Sequence, residues 1–247
     1  MKKIRDYIQQ LQTQYQLSDW YIDVQTTDDM YVMVDRWHYY EDDRIAILRI
    51  NLQFPMPILE DAISYRMKEM AMRYMLVQTK RLYLRHTAKE DYEAEWLLQS
   101  NPNVALTDGY APITSPQDLA RKLQQMINDP GCYSICLLDG TVIGHMSLRF
   151  VQRACVAMEI GYAIQEAYWN QGYGFEAANA IVDKCFNYLH VDMVIASHFE
   201  GNIASQRIME KLGMQYEGCM RKSYRHDLYG AMDLCTYSIL KEEWIKK

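Results

Sequence analysis

The sequence predicts a mixed α/β fold (α+β in arrangement): a central, mostly antiparallel sheet flanked by helices, preceded by a small α+β domain. Three observations carry that expectation. Apolar residues alternate between a spacing of two and a spacing of three and four, so strand and helix patterns interleave. Asp139-Gly140 joins two strand-like runs as a tight hairpin, which makes those strands antiparallel neighbours. The order of elements changes near Gln78-Thr79-Lys80, which divides the chain into 1–78 and 79–247.

The first segment opens with an amphipathic helix over 4–17, with Ile4, Ile8, Leu11 and Tyr15 on one side. Trp20 to Val24, Met30 to Val34 and Ile45 to Asn51 read as short strands. A second helix carries Leu59, Ala62, Ile63, Met67, Met70, Ala71, Tyr74 and Met75, entered through Pro55 and Pro57. Beyond residue 78 the order is strand Arg81 to Arg85, helix Glu90 to Gln99 and helix Pro116 to Asn128. Strands Tyr133 to Leu138, Thr141 to Phe150 and Cys155 to Ile164 follow. A helix from about Gly172 places Phe175, Ala178, Val182, Cys185, Phe186 and Leu189 on one face. The chain closes with strand Met193 to Ser197, helix Ala204 to Leu212, and strands Met214 to Tyr224 and Ala231 to Leu240.

Hydrophobic residues make up 49% of the chain, enough for a core, and charged residues 23%. The net charge of −6 argues against a general nucleic-acid footprint, which needs excess Lys and Arg. No apolar run approaches the roughly 20 residues of a membrane span, so no membrane partner is expected. Met1-Lys2-Lys3-Ile4-Arg5-Asp6 leads into Gln-rich sequence without an apolar signal core, and the expected compartment is the cytoplasm. There the six cysteines, Cys132, Cys136, Cys155, Cys185, Cys219 and Cys235, read as reduced, buried small hydrophobes. The six histidines have no metal-site spacing, so no metal is expected.

One segment points to chemistry. Trp169-Asn170-Gln171-Gly172-Tyr173-Gly174-Phe175-Glu176-Ala177 lies between a strand and a helix. A helix N-terminus offers unpaired N–H groups and a positive dipole end to a pyrophosphate. Glycine lets the backbone approach closely. On spacing alone the two glycines equally suit an ordinary loop closure.

The segment resembles the CoA-binding loop of the Gcn5-related N-acetyltransferases (GNAT family), Arg/Gln-x-x-Gly-x-Gly/Ala. Trp169 at the Arg/Gln place is similar to the ribosomal-protein N-terminal acetyltransferase branch. Glu159-Ile160-Gly161-Tyr162-Ala163-Ile164 resembles the strand before that loop. Thr79 to Arg85 resembles the opening strand, Asn202 to Met214 the second CoA-side helix, and Tyr237 to Trp244 the closing strand and tail.

The resemblance implies a GNAT fold and direct acetyl transfer from acetyl-CoA to a primary amine, either a peptide or protein N-terminus or a small-molecule amine. It implies CoA contacts from Tyr162, Ala163, Ile164, Trp169, Asn170, Gln171, Gly172, Tyr173, Gly174, Phe175, Asn202 and Ser205. A backbone N–H on that strand would also stabilise the oxyanion, with Gly161 marking a bulge or a close backbone approach. Glu159 is the candidate base, with His198 second; both also suit a purely structural place. The tyrosine that many members use on the CoA-side helix falls at Met209, which leaves Ser205 to face the sulfur or simply bond its own helix. Acceptor recognition is expected from 88–115 and Tyr224 to Ala231, with Trp96, Tyr110 and Tyr229 as pocket lining or as core. The vacant tyrosine and the extra domain also permit a non-catalytic acyl-CoA-binding or partner-binding module. The first segment faintly resembles a degenerate zinc-peptidase-type domain with Tyr65, Arg66 and Glu69 at the HExxH positions; this would leave it a docking or homodimerisation role.

Overall fold

The computed structural model describes residues 2–16, 20–26, 31–38, 41–51, 55–152 and 154–244. It divides into two compact units, Met1–Met72 and Arg73–Lys247. The division precedes the expected 78/79 boundary because Val77–Gln78 pairs as a strand within the larger unit.

The smaller unit holds α1 (Lys2–Gln14), β1 (Trp20–Thr26), β2 (Tyr31–His38), β3 (Glu41–Asn51) and most of α2 (Met56–Tyr74). Its three strands form an antiparallel sheet in the order β1-β2-β3. Ile4, Ile8 and Leu11 are buried on α1, and Leu59, Ile63, Met67 and Met70 on α2, as the apolar stripes require. Leu17 and Met30, which end two of the expected elements, lie outside the described residues.

The larger unit is built on eight strands in the order β10-β11-β9-β8-β7-β6-β5-β4. These are β4 (Val77–Gln78), β5 (Leu82–His86), β6 (Cys132–Leu137), β7 (Val142–Gln152), β8 (Val156–Ile164), β9 (Met193–Phe199), β10 (Gln215–His226) and β11 (Gly230–Leu240). Every neighbouring pair is antiparallel except β8 and β9. Its helices are α3 (Tyr92–Gln99), α4 (Pro102–Asp108), α5 (Pro116–Asn128), α6 (Tyr173–Asn187), α7 (Ile203–Lys211) and α8 (Lys241–Trp244). The Asp139-Gly140 hairpin turn forms, with Gly140 at φ +95°. Ala177, Ala178, Ile181, Val182, Cys185 and Phe186 are fully buried on α6. Each large apolar side chain among them contributes about 1.5–3 kcal/mol by leaving water.

A buried carboxylate anchors α3 to the sheet. Asp91 accepts from both Arg85 terminal nitrogens at 2.6 and 2.8 Å, from Ser134 Oγ at 2.6 Å and from the Ala88 N–H at 2.9 Å. Burial would raise its carboxyl, but these bonds outweigh it and hold the group below the usual range.

The cysteine expectation is corrected. Cys219 and Cys235 face each other across β10 and β11 and form a disulfide. Among the four free cysteines, Cys155 is exposed and Cys132 half-buried, so only Cys136 and Cys185 match the small buried hydrophobe expected.

Candidate active site

The parallel pair β8–β9 runs in register from Ala157/Met193 to Ile160/Ala196 and stops there. From Gly161 onward the β9-facing backbone of β8 has no ladder partner, so the two strands open into a gap. Pairing of β8 with β7 continues without a register shift to Ile164, so Gly161 marks no bulge. It marks a close approach instead: a Cβ there would meet Ser147 Oγ at 2.8 Å.

Side chains alternate across this gap. Ala163 packs with Leu98 of α3 and Val104 of α4, which fixes one face as the α3/α4 face. Glu159 and Gly161 share that parity. Tyr162 has the opposite parity, and its hydroxyl reaches Ser205 on α7, which fixes the other face. On β9, Phe199 stacks on Tyr224 at 5.0 Å beside Gly109, on the α4 side. His198 therefore lies on the α7 side.

The gap leads into the turn before α6. Asn170 and Gly172 adopt φ +59° and +83°, and Gly172 is the N-cap of α6. No side chain caps this helix start, so its first N–H groups keep no protein side-chain acceptor. That is the arrangement an anion requires. The two glycines serve different ends. Gly172 supplies the left-handed backbone. A Cβ on Gly174 would meet Ile208 Cδ1 at 3.0 Å, so Gly174 lets α6 pack closely against α7.

Arg81 braces the turn from a distant part of the chain. Its Nε donates to Glu176 at 2.6 Å, Nη1 to the Gln171 carbonyl at 3.0 Å, and the guanidinium lies 4.4 Å from the Tyr173 ring centre. Glu176 also accepts from Thr79 Oγ1 at 2.6 Å. Burial would raise its carboxyl, yet the bonds from Thr79 and Arg81 keep it below the usual range. The negative charge in the first turn of α6 is thereby neutralised by Arg81 beside the uncapped helix start. Trp169 works from the other side. Its indole N–H donates to the Ile164 carbonyl at 2.6 Å, and the ring packs against Leu98, Val104 and Ala163. This side chain pins the turn to β8, and the Ile164 carbonyl is already occupied.

Helix α7 starts at the N-cap Asn202, whose Oδ1 accepts from the Ser205 N–H at 3.1 Å. Ser205 Oγ lies 3.0 Å from Tyr162 Oη. Burial, partly offset by the Ser205 hydrogen bond, pushes the Tyr162 phenol up to about 12, so it stays neutral. Met209, one turn on, is buried and apolar.

The opposite face carries the ionisable groups. Helix α4 reads locally: Asn101 caps it by accepting from the Asn103 N–H, Pro102 occupies its first turn, and Gly109 ends it at φ +90°. A Cβ on Gly109 would meet Tyr224 at 2.9 Å, so the helix end sits against the β10–β11 hairpin. Further ties are His226 Nε2 to the Leu106 carbonyl at 3.3 Å and the Ala111 N–H to Asp227 at 3.3 Å. Segments 88–115 and Tyr224 to Ala231 thus meet at one rim, with Tyr229 and Leu228 exposed on it. Tyr110 lies under the Lys122 ammonium, 3.7 Å from its ring centre, and Trp96 is half-buried on α3.

Glu159, His198 and two further histidines, His226 and His145, each have defined surroundings. His226 Nδ1 accepts from the Leu228 N–H at 3.0 Å, which leaves Nε2 to donate to Leu106; the ring has no free lone pair. His145 of β7 lies beside Glu95 at 3.1 Å and Asp108 at 3.7 Å. Burial lowers its pKa, but the Glu95 charge and the hydrogen bonds to Asp108 and Glu95 prevail and carry it up to about 10. It is therefore protonated at neutral pH and cannot be a base. His198 Nδ1 lies 2.9 Å from the Phe199 carbonyl and its Nε2 has no partner, but it stands on the α7 side. Glu159 has the parity of the acceptor side and is ion-paired with Arg149, which is largely exposed. Such a pair opens at little cost.

A splayed parallel pair leading to an uncapped helix start is the geometry expected of a CoA site. Residues 81–215 match the family described as the Acetyltransferase (GNAT) domain. The chain belongs to the GNAT acetyltransferases. An uncharacterized N-acetyltransferase of Bacillus subtilis, YnaD, is 30% identical over 69% of this GNAT chain and 99% of its own. The L-amino acid N-acetyltransferase AaaT of Escherichia coli is 24% identical over 57% and 87% of the two chains. The solved ribosomal-protein-S5-alanine acetyltransferase of Vibrio fischeri shares the fold, with TM-score 0.57 at 17% identity, over 69% of this chain and 98% of that one.

This GNAT enzyme is an acetyl-CoA-dependent N-acetyltransferase acting on an amine. The residues present suit CoA: an uncapped helix start for the pyrophosphate and unpaired strand edges for the pantetheine amides. The structure brings together Tyr162, Gly172, Asn202 and Ser205 around the gap, whereas Trp169 and Gly174 hold the framework. Sequence reasoning missed His145, Glu95 and Arg81, whose partners lie 50 and 95 residues away. Among the described residues no helix is long and apolar enough to cross a membrane. In the smaller unit, Arg66 and Glu69 form an ion pair with each other on α2.

Proposed function

We propose that this GNAT enzyme acetylates the α-amino group of a peptide or protein by direct transfer from acetyl-CoA. The observation that carries the reading is the β8–β9 gap, open at one end to the α6 N-terminus and flanked by an exposed aromatic rim. The rim residues Tyr224, Leu228 and Tyr229 are exposed, which suits an extended chain better than a small enclosed amine. Asp108 and Asp227 on that side favour an approaching cationic terminus.

In this reading the backbone of Tyr162 and Ala163 bonds the pantetheine, and a free N–H polarises the thioester carbonyl. The α6 turn from Asn170 to Phe175 receives the pyrophosphate. Glu159 takes a proton from the attacking amine, whose unperturbed pKa is about 8. Ser205 faces the departing sulfur. The similarity to AaaT favours a second acceptor class, the α-amine of a free L-amino acid. Release of CoA thiol from acetyl-CoA, measured on a panel of N-terminal peptides, free amino acids and polyamines, separates the two. Peptide-dependent release supports the proposal; release with free amino acids alone replaces it with the second reading.

A further inference from the structure

Met209 is buried and apolar at the position where the family resemblance implies a tyrosine, and two hydroxyls from two elements, Ser205 of α7 and Tyr162 of β8, meet one turn before it. The two oxygens lie 3.0 Å apart, and Tyr162 Oη also lies 3.4 Å from the Ser205 carbonyl. Two proton arrangements satisfy this geometry. In one, Ser205 donates to Tyr162, and Tyr162 donates to the longer carbonyl contact; the pair is closed and offers nothing outward. In the other, Tyr162 donates to Ser205 Oγ at the shorter distance, and the Ser205 hydrogen turns free. Passing between them needs only rotation of two hydroxyls.

We propose that Tyr162 is a positioning residue: by donating to Ser205 Oγ it aims the Ser205 hydroxyl hydrogen into the β8–β9 gap, at the sulfur that leaves from acetyl-CoA. The inference rests on the reading of the gap as the CoA channel. An anionic sulfur selects the outward arrangement, because a donor toward negative charge is stronger than one between neutral groups. The parity of the strand supports the division of labour, since Tyr162 and Ser205 occupy the face away from Glu159.

Electrons and protons balance without ionising the tyrosine. The amine nitrogen forms a bond to the acetyl carbon and the C–S bond breaks, its electron pair passing to sulfur. The nitrogen's proton leaves through the base to solvent, and solvent returns one to the thiolate. Tyr162, raised to about 12, is a weaker acid than an alkyl thiol, so passing its proton to the departing thiolate is uphill. It therefore lends a hydrogen bond and keeps its proton.

The test uses the full chain with CoA alone, so no turnover is required. The thiolate absorbance of bound CoA is titrated from pH 6 to 9.5 in the wild type, Tyr162→Phe, Ser205→Ala and the double variant. Affinity for desulfo-CoA is measured in parallel. The expected result is a bound thiol titrating below free CoA, raised by about one unit in either single variant and no further in the double, with desulfo-CoA affinity within about twofold. A Tyr162→Phe titration matching the wild type, while Ser205→Ala shifts, overturns the relay and leaves Ser205 acting alone. Parallel loss of desulfo-CoA affinity in Tyr162→Phe overturns it as well, by assigning Tyr162 to packing. If wild-type CoA binds but its thiol titrates as in free solution in every variant, neither hydroxyl faces the sulfur and the inference falls. If wild type binds neither CoA nor desulfo-CoA, the channel reading itself fails, and this inference with it.

Discussion

Replacing Glu95 by glutamine removes one charge from a buried pair and keeps the side-chain shape. Glu95 is 1% exposed and bonds His145 at 3.1 Å and Gln99 at 2.5 Å. His145 has a folded pKa near 10 against 6.5 unfolded, so its contribution is complete below pH 6.5 and disappears as pH rises through 10. Glu95 is lowered although burial opposes this, because His145 and Gln99 stabilise the carboxylate; its contribution is lost only in acid. At pH 6 the pair is intact, and Glu95→Gln is expected to cost about 3–5 kcal/mol, the range for breaking a buried ion pair. In a domain of this size that lowers the midpoint by roughly 10 °C. Between pH 6.5 and 9 the wild type loses up to about 1.4 kcal/mol per pH unit through His145, while the variant, left with Asp108 alone, loses that slope over a narrower span. Asp108, 3.7 Å away and partly exposed, keeps part of the upward shift of the remaining imidazole. Burial raises Cys132 and Tyr110, so both titrate above this window, whereas burial lowers Lys122, which is present in both proteins and cancels in their comparison. Urea denaturation at pH 6, 7, 8 and 9 measures both effects. Parallel stability curves, or a loss under 1 kcal/mol at pH 6, would refute a charged His145–Glu95 pair.

Three further outcomes are expected. Gly172→Val forces a β-branched residue to φ +83° and should lower CoA affinity at least tenfold by calorimetry, with the far-UV spectrum kept. Glu159→Gln should reduce turnover roughly tenfold to a hundredfold near pH 7 with CoA affinity unchanged, and the deficit should shrink above pH 8 as the amine deprotonates unaided; an unchanged rate at pH 7 removes Glu159 from the mechanism. Thiol titration of the unfolded chain should find four free cysteines before reduction and six after, and reduction should cost about 2–3 kcal/mol; six thiols at the outset would exclude the Cys219–Cys235 bridge.

What the sequence made legible was local. Asp139-Gly140 sets its own turn, the glycines at 172 and 174 lie within one helix start, and Asn202 caps the helix that begins beside it. Helix α4 carries the same local signals in Asn101, Pro102 and Gly109, but at 7 residues it is too short to show a helical apolar period. Long-range pairs were not legible. Arg81 finds Glu176 only when β5 meets α6, and His145 finds Glu95 only when α3 crosses β7. Cys219 and Cys235, 16 residues apart, oppose each other only once the register of β10 and β11 is fixed. Trp169 lies in the turn, but its indole turns inward to the Ile164 carbonyl, which no spacing rule encodes.

In the proposed mechanism, strand alternation is what divides the chemistry between two faces. Around a gap only a few residues long, β8 sends Glu159 to the side of the acceptor rim and Tyr162 to the side of Ser205. A one-residue slip of β8 would exchange these faces, placing an acid beside the leaving thiolate and a phenol beside the amine. The register is held at several points: the continuous ladder with β7 from Val156 to Ile164, the tight fit of Gly161 against Ser147, and the Trp169 bond to Ile164. In the proposed mechanism the Trp169 clasp therefore acts on both faces from outside the reaction. Trp169→Phe keeps the packing against Leu98 and Val104 but deletes the indole donor, freeing the Ile164 carbonyl at the end of the strand. Both the pH profile of turnover and the titration of bound CoA thiol should shift together in this variant, because one strand positions Glu159 and Tyr162 alike. A change in only one of the two would mean that the faces are positioned independently of the clasp.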